Sequence, residues 1–185
     1  MLFRPSSILP RIIRYLNPDN TFSTDCKESI SMLFEKFILY LAWFISVVSF
    51  LLFIPHKKQR HAQFAFLVMQ FITWFLGLIV AHLNLIVYPV RFFPNINGTS
   101  FTFEFLAYPV ICAFFNEYYP ISKDNFIKFC YYIIICSVIT GLELIFENHT
   151  QLIKYINWTG YHTWISVFIT LYISRLYYRW FLKIL

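Results

Sequence analysis

Six side chains in this sequence sit where apolar surroundings make them costly: His82, Asn84, Arg91, Glu104, Glu143 and His162. Ionisable groups inside long apolar runs are rare and tend to face one another or a watery cavity, so their types deserve a chemical reading first. Two imidazoles with two carboxylates would suit a divalent transition metal, or a proton relay. An arginine beside a carboxylate gives a buried ion pair, which acts as structural glue. The same groups lining a cavity could recognise a small polar ligand or a lipid headgroup. The buried structural network ranks first among these readings, the small polar ligand second and the metal or proton site third. The spacing is dispersed, with no HExxH and no histidine pair at i, i+4, so no metal and no cofactor are assigned.

Catalysis has less behind it. An intramembrane hydrolase needs a nucleophile or an activated water. The chain has no GxSxG, and Glu143-xxx-Glu147 has no further carboxylate beside it. Ser166 follows His162 by one helical turn, a spacing that is commonplace on apolar helices. No catalytic residue is assigned.

The elements that must position these groups follow from composition. The 185 residues are 59% hydrophobic and only 13% charged, with a mean hydropathy of +0.61. A soluble domain carries roughly 25% charged residues, so this chain cannot wet the surface of a small globule. Aromatic residues reach 22%, and Phe suits acyl chains while Tyr and Trp suit headgroup depth. The net charge of +6 is spread over short loops and tails without an RNP, zinc-finger or helix-turn-helix pattern, which argues against nucleic acid as a partner. Cys26, Cys112, Cys130 and Cys136 form no CxxC pair and read as small hydrophobes.

The expected fold is all-α, a polytopic transmembrane helical bundle of about five spans with a short N-terminal interfacial helix. The tail, residues 1–34, carries Ile8, Leu9, Ile12, Ile13 and Leu16 at helical spacing with Arg11 and Arg14 between them, the pattern of a short helix lying on a membrane surface. Residues 35–185 form one bundle, with spans at about 35–54, 63–88, 102–119, 126–146 and 161–181. The third is the weakest, because Pro109 stands in its middle; a mid-span proline frees a carbonyl that a neighbour must satisfy, and a kink is expected there. No internal repeat is evident.

Five spans place the chain ends on opposite sides. Lys57, Lys58, Arg60, Lys123, Lys128, Arg175, Arg179 and Lys183 share one side, against Lys27, Lys36, Arg91 and Lys154 near the membrane on the other. The positive-inside rule then puts the N-terminus out and the C-terminus in, although Arg4, Arg11 and Arg14 pull the other way. Asn97, Asn148 and Asn157 begin Asn-x-Thr tripeptides that read as chance.

This arrangement brings all six polar residues to the N-terminal-side half of the bundle, near Glu35. Gly77-xxx-Ala81 leads up to His82 and Ser137-xxx-Gly141 leads up to Glu143; small residues at that spacing let helices approach closely. The opposite leaflet looks thinner, with Gln63, Gln70, Glu117 and a snorkelling Arg175. Trp158 and Trp164 at one interface and Trp180 at the other read as aromatic belts.

The runs TWFLGLIVAHLNLIVYPVRFF, FTFEFLAYPVICAFFNEYYP, GLELIFENHTQLIKYINW and SRLYYRWF resemble an uncharacterised family of small five-span membrane proteins from endospore-forming Gram-positive bacteria. The likeness covers roughly residues 35 to 182. Its specific pieces are YPVR with Arg91, FEF with Glu104, YYP with Pro120, and the string carrying Glu143, Thr150, Tyr155 and Trp158. It implies a bacterial plasma membrane and adds weight to Arg91, Glu104 and Glu143, but it supplies no reaction. In similar sequences an acidic residue stands in place of His82, which counts further against a histidine metal site.

The expectation is therefore an integral membrane protein in contact with the lipid bilayer, non-enzymatic, with a buried polar site. The alternatives are a small solute-binding or transport subunit, for an unidentified polar ligand or membrane-protein partner, and an intramembrane hydrolase.

Overall fold

The computed structural model describes residues 18–96 and 98–184, with side chains from Ser29 to Lys183. The amphipathic tail helix expected within residues 1–17 and the tripeptide at Asn97 lie outside the described residues.

Long apolar runs broken by proline and polar turns make the described residues mostly helical, with five α-helices among them. The first, α1, spans Pro18–Phe53. It ends because Pro55 disfavours helical geometry in the residue before it. A single turn at His56–Lys58 leads into α2, Gln59–His82. A π-helical segment, Phe101–Ala107, runs directly into α3, Tyr108–Glu117. Then come α4, Asn125–His149, and α5, Gly160–Ile184. Three helical stretches, Ser29–Phe53, His56–His82 and Asn125–His149, are long and apolar enough to cross a membrane.

The helix α2 stops at His82, short of the Tyr88 expected from hydropathy, and the reason is a defined cap. Asn84 adopts φ 54°, the left-handed region that Asn tolerates better than most residues. Its N–H donates to the Ala81 carbonyl at 3.1 Å, and the Leu85 N–H reaches back to Val80 at 3.1 Å. Those two bonds are a Schellman cap, which closes the last turn and turns the chain away. Beyond it, β1 (Ile86–Val87) pairs antiparallel with β2 (Lys154–Tyr155), in the register Ile86 opposite Tyr155 and Val87 opposite Lys154. Val90 donates to Gln151 at 3.2 Å, and Ile156 to Leu85 at 3.0 Å. Hydropathy carries no sign of so short a pair.

This stitched lid ties the α2–α3 connection to the α4–α5 connection across one end of the bundle. A carboxylate oxygen of Glu35, buried on α1, accepts the Gln151 N–H at 2.8 Å and anchors α1 to the same end. Leu39, Ile86, Tyr88, Phe103, Leu152 and Ile153 form the apolar core beneath the lid. A second core, built on Met69, Cys112, Phe115, Tyr132, Cys136, Ile139, Val167 and Leu171, joins α2, α3, α4 and α5 deeper in the bundle.

Pro109 explains the π-helical segment before it. Proline has no N–H, so the carbonyls upstream lose a helical donor. Two side chains of α2 supply the missing bonds: Gln70 Nε2 donates to the Phe105 carbonyl at 2.9 Å and Thr73 Oγ1 to the Glu104 carbonyl at 2.6 Å. The wide turn is thereby pinned onto α2 with Glu104 on its inner face.

Candidate intramembrane carboxylate site

Glu104 and Glu143 line one cavity of about 150 Å3, enclosed by α2, the lid, the π-helical segment with α3, α4 and α5. They come from separate helical segments, and both are buried. Their surroundings differ.

Glu143, on α4, is met by three hydroxyl groups. Tyr108 OH donates to its Oε2 at 2.6 Å, Tyr155 OH to its Oε1 at 2.8 Å and Thr163 Oγ1 to its Oε1 at 3.2 Å. Each donor sits on a different element: α3, β2 and α5. Trp158 Nε1 donates in turn to Thr163 Oγ1 at 2.8 Å, which orients that hydroxyl toward the carboxylate. Partial burial, with Glu143 close by, raises the Tyr155 phenol above its usual range, so it is the neutral, proton-donating form that meets the carboxylate.

Glu104 makes one such bond, and the buried hydroxyl of Thr99 stands beside its carboxyl. Tyr88 OH donates to Oε1 at 2.8 Å, while Oε2 is buried and has no hydrogen-bond partner. The carboxyl lies directly against Gly77 of α2, in the space where a Cβ at position 77 would go. Glycine leaves room for this close approach, and a Cβ there would push the carboxyl aside. Gly77 was singled out in the sequence as a contact leading to His82; its structural partner is Glu104. Nothing comes within 4 Å of a Cβ built at Gly141.

The other residues of the expected cluster are placed elsewhere. His82 and Asn84 are exposed at the end of α2, and Asn84 serves the Schellman cap. His82 lies beside a separate surface hollow with Phe75 and Ile96. His162 is exposed at the start of α5, its Nδ1 within 2.8 Å of Thr159 Oγ1 and its ring against Trp158. Arg91 is half-buried and donates to the carbonyls of Tyr88 at 2.5 Å and Pro94 at 3.0 Å, bracing its own loop. Among the described residues the two carboxylates are met by hydroxyls and by no cation, so the arginine–glutamate brace expected from the sequence is replaced by phenols. No group of three or more His, Cys, Asp and Glu side chains gathers as a metal site would require, again among the described residues.

Ser166 lines the cavity but donates to the Thr163 carbonyl at 2.9 Å, while the His162 ring faces outward. Of the tryptophans, Trp158 is half-buried and lines the cavity, Trp164 donates to Ser137 at 3.2 Å and stacks on Phe168, and Trp180 is exposed. A second, apolar cleft of about 380 Å3 between α1, α3 and α4 reaches Glu143 from behind.

No protein-family model, no curated protein and no solved structure matches this chain. The site therefore stands on its own geometry.

The far end of the bundle is more polar than its sequence suggested. Arg175 does not snorkel. It is 6% exposed, stacked 4.0 Å over the Tyr119 ring, with Nη1 donating to the Asn116 carbonyl at 3.3 Å. Asn116 Nδ2 also reaches Cys112 O at 3.1 Å and Ser174 Oγ at 3.2 Å. Lys58 and Glu117 form an ion pair at 2.5 Å.

The hydrogen-bonding roles of Tyr88, Tyr108, Tyr155 and Thr163 escaped the sequence reading, although Tyr155 stands in the string that carries the resemblance. In an apolar chain a tyrosine reads as an interface anchor. The available signal was that Tyr88 and Tyr155 flank the same loops as the two glutamates.

Proposed function

We propose that this chain is a multi-pass membrane protein whose N-terminal-side cavity, between Glu104 and Glu143, holds a small solute. The observation that carries this reading is a cavity of about 150 Å3 walled by two acidic side chains, one of which, Glu104, keeps an oxygen without a hydrogen bond of its own, packed on Gly77. Leaving a buried carboxylate oxygen unpaired costs free energy, so such a group persists where it serves something other than the fold.

The membrane setting is supported by length and surface. At 1.5 Å per residue, α2, α4 and α5 run about 36 Å, beyond the ~30 Å hydrocarbon core. Large apolar side chains face outward along them, among them Phe71, Phe126 and Ile145, as lipid contact would allow. We read the π-helical segment with α3, together with α5, as two further crossings, making five, with the N-terminus out. The basic residues of the Lys57–Arg60 turn support that orientation. The likeness to proteins of endospore-forming bacteria supports a bacterial cell membrane. On this reading the cavity lies in the outer half of the bilayer.

A structural brace is the second reading, and Glu143 favours it, because its three hydroxyl donors join α3, β2 and α5. Ser166 and His162 share no hydrogen bond, which gives hydrolysis no paired nucleophile. Native mass spectrometry of the protein drawn from its own membrane separates binding from bracing. A co-purifying small molecule that is lost on Glu104→Gln supports binding. A bare chain whose mass spectrum is indifferent to Glu104 supports the brace.

A further inference from the structure

If the cavity holds a solute, its lining narrows the chemical class. Resting on that solute-binding reading, we propose that the cavity takes a small alkylammonium cation, held between the Glu104 and Glu143 carboxylates and against the rings of Tyr108 and Trp158.

Charge gives the sign. Two carboxylates share the cavity, and every protein group that meets them is a neutral hydroxyl. Among the described residues no lysine, arginine or histidine lines it. An anionic guest would meet two acidic groups and no cation, whereas a cationic guest supplies the missing partner. The Glu104 carboxyl, which lines the cavity and takes fewer hydroxyls than Glu143, marks the wall against which its charge would sit. The Glu143 oxygens already accept their hydroxyls and add a second acidic group at the same cavity.

The walls give the body. Apart from those oxygens the lining is mainly carbon, with aromatic faces from Tyr108 and Trp158. Rings attract an ammonium through the negative face of the π system. A bare sodium, magnesium or calcium ion would need several converging oxygens, and the tyrosine hydroxyls here are turned toward the carboxylates instead. A cavity of about 150 Å3 accepts a benzene-sized guest, which matches an ammonium carrying a few carbons. Gly77 completes the fit: without a Cβ, the Glu104 carboxyl can lie flat on α2 at the cavity wall.

The test uses the full chain in lipid nanodiscs and equilibrium dialysis with labelled choline, n-butylammonium and tetramethylammonium. The neutral probe is 3,3-dimethylbutan-1-ol, which has the shape of choline without its charge. The proposal expects saturable binding of at least one cation, no competition by the neutral alcohol, and a loss of about tenfold or more in Glu104→Gln, as for removal of a charged hydrogen-bond partner. Ser166→Leu, which fills the cavity, should abolish binding. If 3,3-dimethylbutan-1-ol binds in place of the cations and Ser166→Leu removes it, the cavity is a solute site but the cation assignment is overturned. If cations bind equally well to wild type and Glu104→Gln, the assignment is likewise overturned. If wild type binds none of these probes, both this proposal and the solute-binding reading fall. The wild-type comparison of choline with its neutral analogue holds even if a variant does not fold.

Discussion

The carboxyl of Glu104 occupies the space that a side chain at position 77 would need, so a residue larger than glycine there must displace that carboxyl. Gly77→Ala is an overpacking substitution against a buried acidic group and should cost about 1–3 kcal/mol of stability. Shortening the opposing residue should relieve it. The double variant Gly77→Ala/Glu104→Ala should recover much of the loss, and thermal unfolding of the four proteins in one detergent gives the coupling directly. Additive losses would show that the two residues do not touch.

Glu143 is bound into the fold through three donors, and its replacement should be felt widely. Glu143→Ala strands the Tyr108, Tyr155 and Thr163 hydroxyls in a buried site, and charge-assisted hydrogen bonds are worth about 1.5–3 kcal/mol each. A clear fall in melting temperature and in expression is expected. Tyr108→Phe and Tyr155→Phe should each fall by less, and the pair should be non-additive because both act on one carboxylate. An unchanged melting temperature in Glu143→Ala would remove Glu143 from the structural account.

The π-helical turn depends on donors from α2. Gln70→Leu leaves the Phe105 carbonyl without its side-chain partner, at a cost of about 1–3 kcal/mol. In a Pro109→Ala background the backbone regains an N–H in this turn, so the same substitution should cost less. Equal losses in both backgrounds, measured by thermal unfolding, would mean that Gln70 does not compensate for the proline.

Arg175 stacks on Tyr119 while donating to Asn116. Lysine cannot stack a planar group and donate sideways at once, so Arg175→Lys should destabilise the protein despite keeping the charge. A stacking loss of about 0.5–2 kcal/mol is expected, comparable to that of Tyr119→Leu. A lysine variant as stable as wild type would show that the stack contributes nothing.

Depth along the bundle was legible in the sequence, and rotation about each helix was not. Glu104 lies near the start of its helical segment and Glu143 near the end of the next, which brings them to one cavity, and turn positions expose that pairing. His82 and His162 lie at that end of the bundle too, yet both face outward. Which face of a helix turns inward depends on packing partners far away in the chain, and a single apolar run does not encode it. Asn84 shows the same limit: its polarity drew attention, while its role is set by a left-handed backbone angle at the helix end. The phenols around the carboxylates stayed hidden because tyrosine is amphipathic and belongs equally to an interface or to a buried network. The lid strands are too short for any alternation to register.

The two carboxylates differ in kind: Glu143 serves the fold, and Glu104 is held in spite of it. The most direct measurement is the melting temperature of Glu104→Gln beside that of Glu143→Gln, in the same detergent and buffer at neutral pH. Replacing the Glu104 acid by an amide while keeping an oxygen for Tyr88 should leave the protein as stable as wild type or more so, whereas Glu143→Gln should melt clearly lower. A loss in Glu104→Gln as large as that in Glu143→Gln would make both residues structural and contradict the account.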